Sequence, residues 1–286
     1  MNIATTISMI NVSKAGLDRY NAIRNMPIND EQSNIVQNVD LKSTEIEFQD
    51  VSFAYENETV LEHINLTFKQ GEMTAIVGES GSGKSTLINL IARFWRVYEG
   101  VITIGGVNIN DITSEDFYKN FSMVFQNVYL FDDTIINNLI LGKENATKEE
   151  IIEACKKARC YDFIMALPNG FETIVGEGGS NLSGGEKQRI SIARAIIKDA
   201  PIVLLDEATA SLDLDNESYI QEAINELVKN KTLIIISHKL SSIKQADKII
   251  LLKGKKVAEV GTHEELIQLG GAYKKLWNIR MKEKIR

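Results

Sequence analysis

The sequence predicts an α/β fold: a core sheet buried on both faces, with an antiparallel β part ahead of it and an α-helical part inserted into it. Three observations carry this expectation. Short runs of Val, Ile and Leu recur at 73–77, 123–126, 202–206 and 232–237, with few polar interruptions, as in strands covered on both faces. Stretches with helical spacing separate them, the pattern of an α/β chain. Between 127 and 199 the strand signal disappears and only helical patterns remain.

Each element has its own reason, taken in chain order. Ile3, Ile7, Ile10 and Leu17 fall at offsets of three, four and seven, which suits one face of a helix over residues 1–25. Pro27 ends that pattern, and a polar stretch follows to about Ser43 that reads as a linker. The expected organisation is therefore a helix and linker at 1–43 and a main unit at 44–286, its helical part at about 127–199. From Glu45, EIEFQDVSFAY alternates like a half-buried strand and slips phase near Asp50. MTAIV at 73–77 is a short apolar strand that runs into glycines. TKEEIIEACKKARC opens with Thr147 and Glu150 placed as a capping box. KIILLKGKKVAEVG reads as a hairpin turning at Gly254, and THEELIQL and AYKKLWNIRM close the chain as helices.

Composition narrows the function. The 286 residues allow one large domain or a domain plus an appendage, and 44% hydrophobic residues suffice for a core. A net charge of -7 and the absence of a basic run argue against nucleic acid as a partner and against docking on anionic lipid. Cys155 and Cys160 are five apart, which fits neither a redox pair nor a metal spacing, and they read as buried reduced thiols. No stretch reaches the roughly 18 apolar residues of a membrane helix, so at a membrane something else crosses the bilayer.

The strongest motif is GESGSGKST, directly after the 73–77 strand. It fits the phosphate loop GxxxxGK[ST] in its strand–loop–helix setting, the mark of a P-loop NTPase with a RecA-like core. Glycines let successive N–H groups curl around an anion, and the following helix adds roughly half a positive charge. Gly78, Ser80, Gly81, Ser82, Gly83, Lys84, Ser85 and Thr86 are the expected nucleotide-binding set. Lys84 would reach the β and γ phosphates, and the Ser85 hydroxyl would ligate Mg²⁺. Further on, IVLLDEAT delivers two carboxylates at a strand's C-terminal end, where open α/β sheets bind ligands. Asp206 would hold Mg²⁺ through its water shell, and Glu207 would polarise the attacking water as general base.

NLSGGEKQR, just ahead of that strand, resembles the signature sequence of the ABC (ATP-binding cassette) ATPase superfamily. Ser183, Gly184 and Gly185 would open a second helix with N–H groups and a hydroxyl toward phosphate. One γ-phosphate is not readily gripped by both clamps of one compact chain. The resemblance implies that the second clamp serves the nucleotide of a partner chain. It also implies roles for Gln126 as the Q-loop glutamine reaching Mg²⁺ and the water, and for His238 as the switch histidine at the γ-phosphate. ASLD at 210–213 resembles the D-loop that touches the opposing site, and Tyr55 resembles the aromatic that stacks on adenine. His63 and His263 have no such placement and read as surface residues.

The resemblance spans about 45–286 and points to exporters. TIVGEGG at 173–179 is similar to the exporter segment TEVGERG, with Ile174 and Gly178 in place of Glu and Arg. RFWRVYEGVITIGG lacks the proline of the usual RFYxPxxG, from which only a changed loop is expected, and Lys239 stands where Arg is common. SKAGLDRYNAI resembles the cytoplasmic end of a last transmembrane helix, which would make 1–43 the tail of a membrane domain; the alternative is a free-standing cassette docking on a separate membrane subunit. The implied protein is a Mg²⁺-dependent ATPase at the cytoplasmic face of a membrane, dimeric with a second cassette and coupled to an exporter's transmembrane domain. The alternative class is a soluble ABC ATPase of DNA repair or translation, but the chain has no coiled-coil insertion, second cassette or basic stripe.

Overall fold

The computed structural model of the chain describes residues 3–25, 43–206, 214–237 and 239–285. In chain order the elements are α1 (Ile3–Arg24), β1 (Ile46–Tyr55), β2 (Glu58–Phe68), β3 (Met73–Gly78), α2 (Lys84–Ile91), β4 (Glu99–Ile104), β5 (Val107–Asn108), α3 (Ser114–Lys119) and β6 (Phe121–Val124). Then come α4 (Ile135–Ile140), α5 (Lys148–Lys157), α6 (Tyr161–Ala166), α7 (Gly184–Lys198), β7 (Ile202–Asp206), α8 (Leu214–Leu227), β8 (Thr232–Ile236), α9 (Leu240–Gln245), β9 (Lys248–Lys253), β10 (Lys256–Gly261), α10 (His263–Leu269) and α11 (Ala272–Ile285). The expected linker at 26–42 lies outside the described residues. So do Glu207, the 210–213 segment and His238.

Two sheets form. The smaller is antiparallel, in the order β2-β1-β4-β5. The larger runs β10-β9-β3-β8-β7-β6, with β9, β3, β8, β7 and β6 parallel and β10 turned back against β9. Period-two alternation along each central strand gives the larger sheet two apolar faces. Ile76, Leu204, Ile234 and Ile250 pack on one side with α2 and the antiparallel sheet. Val77, Val203, Ile235 and Leu251 pack on the other with α5, α7 and α8. Each such aliphatic side chain, buried to within a few per cent, contributes about 1.5–3 kcal/mol.

Local chemistry explains the boundaries. The phase slip in β1 is a bulge: Asp50 takes φ +52, and pairing jumps from Phe48↔Leu66 to Val51↔Ile64. The Thr147 capping box forms, its hydroxyl accepting from the Glu150 N–H while the Glu150 carboxylate accepts from the Thr147 N–H. The hairpin turns at Gly254 and Lys255, φ +57 and +67. From 127 to 199 there are helices and loops, with a lone bridge between Thr134 and Ile174.

Some expectations needed correction. β6 starts earlier than the apolar run suggests, because Ser122 hides in it by donating to the Ala195 carbonyl (3.2 Å). It also stops at Val124, so Gln126 is two residues past the strand; Gln188 of α7 donates to the Phe125 carbonyl (3.3 Å) and draws the chain off the ladder. His63 is exposed and pairs with Asp50. His263 is not a plain surface residue: it hydrogen-bonds Tyr273 Oη (2.8 Å) and lies 4.3 Å from the Trp277 ring, docking α11 against α10. Both cysteines are buried and free. Burial, and then its contact with Cys155, pushes the Cys160 thiol well up, so it stays neutral. In α1 every side chain from Ser13 to Arg24 is exposed, Leu17 included, while those of Ile3, Ile7 and Ile10 lie outside the described set.

Candidate functional site

The glycine-rich loop joins β3 to α2 and closes tightly on itself. Gly83, the N-cap of α2, has φ +95, and a Cβ there would lie 2.7 Å from a Leu61 methyl. Only glycine fits both conditions. A Cβ on Gly78 would come within 2.6 Å of the Leu252 carbonyl and closer still to Ser82 Oγ. No side chain caps α2, so its first N–H groups face the loop, with the positive end of the helix behind them. Lys84, 8% exposed, donates from Nζ to the Gly78 and Glu79 carbonyls (3.3 and 2.8 Å), which holds the ammonium across the loop. Ser82 Oγ is buried inside the loop with no hydrogen-bond partner. Ser80, Gly81 and Ser85 are exposed at its mouth, and Thr86 is buried in the first turn of α2. A buried unsatisfied hydroxyl beside a bare helix N-terminus and a held lysine is a cradle for phosphate.

The parallel strands bring the other residues to the same edge. Ile76 pairs with Ile236 and Ile236 with Asp206, so the aspartate stands two strands, roughly 10 Å, across from β3. Val124 pairs with Leu205, which brings the chain past the end of β6, and Gln126 with it, beside the Asp206 end of β7. Ser237, ahead of the His238 position, directly follows β8, the strand between β3 and β7. Its carbonyl accepts from Arg280 of α11 (3.3 Å), and its hydroxyl from the Lys239 N–H (3.0 Å). For Mg²⁺, one hydroxyl and one carboxylate beside phosphates is the donor set expected. That ion keeps its waters and needs no all-protein cage, and among the described residues no cluster of three His, Cys, Asp or Glu could form one.

The second helix end differs. Ser183 is the N-cap of α7, its Oγ accepting from the Glu186 N–H (3.3 Å) while the Glu186 carboxylate accepts from the Ser183 N–H (2.8 Å). Gly184 is exposed and helical, and Gly185 is buried. The Ser183 hydroxyl keeps its own O–H donor, on an exposed helix end already half satisfied.

Tyr55 is half-buried at the end of β1, perpendicular to Phe53 at 4.8 Å. Two residues of α7 make long-range contacts that the motifs do not encode. Gln188 holds the carbonyl next to Gln126. Arg194 donates to the Tyr129 carbonyl (3.1 Å) and to the carbonyl and side chain of Asn138. Burial pulls the Arg194 pKa down to about 10, which leaves it charged at neutral pH. An arginine inside the apolar helix ISIARAII was the available signal.

A phosphate cradle on the carboxyl edge of a parallel sheet, with an aspartate and a glutamine beside it, defines a phosphate-loop nucleotide-binding protein. Residues 61–210, just over half of the 286, match the family described as ABC transporter, and the chain belongs to that family. It is therefore an ATP-binding cassette with an ATPase fold. It is 52% identical over 235 residues to the ATP-dependent lipid A-core flippase of Desulfotalea psychrophila, covering 82% of this chain and 41% of the relative. It is 48% identical over 237 residues to the putative multidrug export ATP-binding/permease protein YgaD of Bacillus subtilis, again 82% and 41%. A solved structure of a bacterial Atm1-family ABC exporter with ATP bound superposes with a TM-score of 0.86 at 35% identity, over 94% of this chain and 48% of that one. The chain thus spans about two fifths of the length of these curated relatives. No helix among the described residues is long and apolar enough to cross a membrane.

Proposed function

We propose that this chain is the motor part of a membrane exporter, binding and hydrolysing ATP at the cytoplasmic face as a head-to-tail dimer of cassettes. The observation that carries the proposal is the phosphate loop, Asp206 and Gln126 gathered along one carboxyl edge of the sheet. Residues 44–286 are the cassette, with its helical part at about 127–199. Residues 1–43 lead to a transmembrane domain, fused or separate; the exporters and flippase among its relatives support this over a repair or translation ATPase.

In this reading the loop N–H groups, Lys84 and the end of α2 bind the triphosphate. Ser85, Gln126 and Asp206 would hold Mg²⁺, which would supply positive charge against the β and γ phosphates. Glu207 takes the proton as water attacks the γ-phosphorus and the bond to ADP breaks. Gln126 orients that water, and His238 contacts the γ-phosphate. Ser183, Gly184 and Gly185 of one chain close on the nucleotide held by the other. Glu207→Gln should keep ATP binding while turnover falls on the order of 10²–10⁴-fold, measured by phosphate release and equilibrium binding. Hydrolysis at the wild-type rate removes Glu207 from this role, and stimulation by DNA or RNA would favour a repair or translation ATPase.

A further inference from the structure

The turn after α2 sets an indole against Tyr55. α2 begins at the phosphate loop with Lys84 and ends at Ile91. The chain then turns through Arg93, φ +58, whose guanidinium donates to the Ile109 and Ile112 carbonyls (3.0 and 2.7 Å) and to the Ser114 hydroxyl. That anchor fixes the direction of the next two side chains. Phe94 stacks on Phe125 (6.2 Å, 24°), beside Gln126. Trp95 meets Tyr55 at 5.2 Å and 87° and stands 6.2 Å from Phe53. Phe53 is buried and is itself at 89° to Tyr55. Two perpendicular rings therefore brace Tyr55, an arrangement that ring quadrupoles favour. Trp95 is 50% exposed, so much of its indole remains open to a further flat partner.

We infer that Trp95 is part of the nucleotide site: it fixes the ring plane of Tyr55 and forms a second aromatic wall beside the base. This rests on Tyr55 as the base platform. One helix then serves both ends of the ligand, its N-terminus taking the phosphates and the turn past its C-terminus flanking a purine. Base recognition by ring faces tolerates many bases, so the wall adds affinity for the base more than choice among purines.

The chain has two tryptophans, so Trp277→Phe leaves Trp95 as the sole indole. Its emission should change on titration with Mg-ATP, at concentrations where equilibrium dialysis shows binding. It should not change with inorganic tripolyphosphate, which has no base but competes with ATP at Lys84. Trp95→Ala should weaken ATP about threefold to tenfold, the worth of one aromatic contact, with tripolyphosphate affinity unchanged. Trp95→Phe should restore most of the loss. Emission unmoved by bound ATP, or moved equally by tripolyphosphate, overturns the inference, and so does unchanged ATP affinity in Trp95→Ala. If Tyr55→Ala weakens ATP while Trp95→Ala does not, the inference fails and the platform reading stands. If ATP does not bind at all, both fail. The emission arm decides even if the alanine variant is unstable.

Discussion

Two helix N-termini in this chain, those of α2 and α7, follow glycine-containing motifs that the proposed reading assigns to phosphate, and they are built differently. The end of α2 has no side-chain cap, and its own loop wraps it around a held lysine and a buried unpartnered hydroxyl. The end of α7 is exposed and already carries a reciprocal cap from Ser183 and Glu186. An uncapped end inside a loop has unmet donors of its own and gains by taking an anion. A capped end with a carboxylate beside it has less to gain and, in the proposed dimer, supplies only half of a site. The glycines make the same point. Gly83 is required by this chain's own backbone and by Leu61, whereas exposed Gly184 is helical and its φ is not positive. In the proposed dimer, exposed Gly184 faces the nucleotide held by another chain.

The largest expected effect breaks the first end. Lys84→Ala removes a charge-assisted donor, worth about 1.5–3 kcal/mol, so ATP affinity should fall about 10–100-fold in equilibrium binding. Unchanged affinity would contradict the loop assignment. Gly184→Ala should act on the second end only. Binding by the chain alone stays at the wild-type value, stability is unchanged or up by as much as about 1 kcal/mol, and turnover at high chain concentration falls roughly tenfold. Loss of turnover with equal loss of stability would mean that this glycine serves the fold. The smallest effect is that of Ser183→Ala on the fold itself. Loss of the cap should cost about 1 kcal/mol, a drop in Tm of about 2–4 °C, with ATP affinity of the single chain untouched.

The same contrast shows what the sequence made legible. The phosphate loop and the Thr147–Glu150 capping box are local: a few residue types at fixed offsets, with the structure following from backbone chemistry. The central strands β3, β7 and β8 of the larger sheet were equally plain, since burial on both faces leaves unbroken apolar runs. β6 was misjudged at both ends because Ser122 and Gln188 make hydrogen bonds to residues far along the chain. Trp95 was read as part of a changed loop because nothing local signals that it meets Tyr55, forty residues earlier in the chain. His263 was misplaced for a similar reason, its partners Tyr273 and Trp277 lying on the next helix. Pairings across the fold depend on packing, which composition and periodicity do not encode residue by residue.

The central claim is that each nucleotide is held between the loop of one chain and the α7 end of another, and mixing two dead variants tests it. Lys84→Ala breaks the loop half of both sites in a dimer, and Ser183→Arg breaks the α7 half of both. In a mixed dimer the Ser183→Arg chain supplies an intact loop and the Lys84→Ala chain an intact α7 end. One site is then whole and the other doubly broken. With random pairing about half the dimers are mixed, each with one working site of two, so ATPase activity should recover to roughly a quarter of wild type. No recovery, with mixed dimers shown to form, would contradict the composite site.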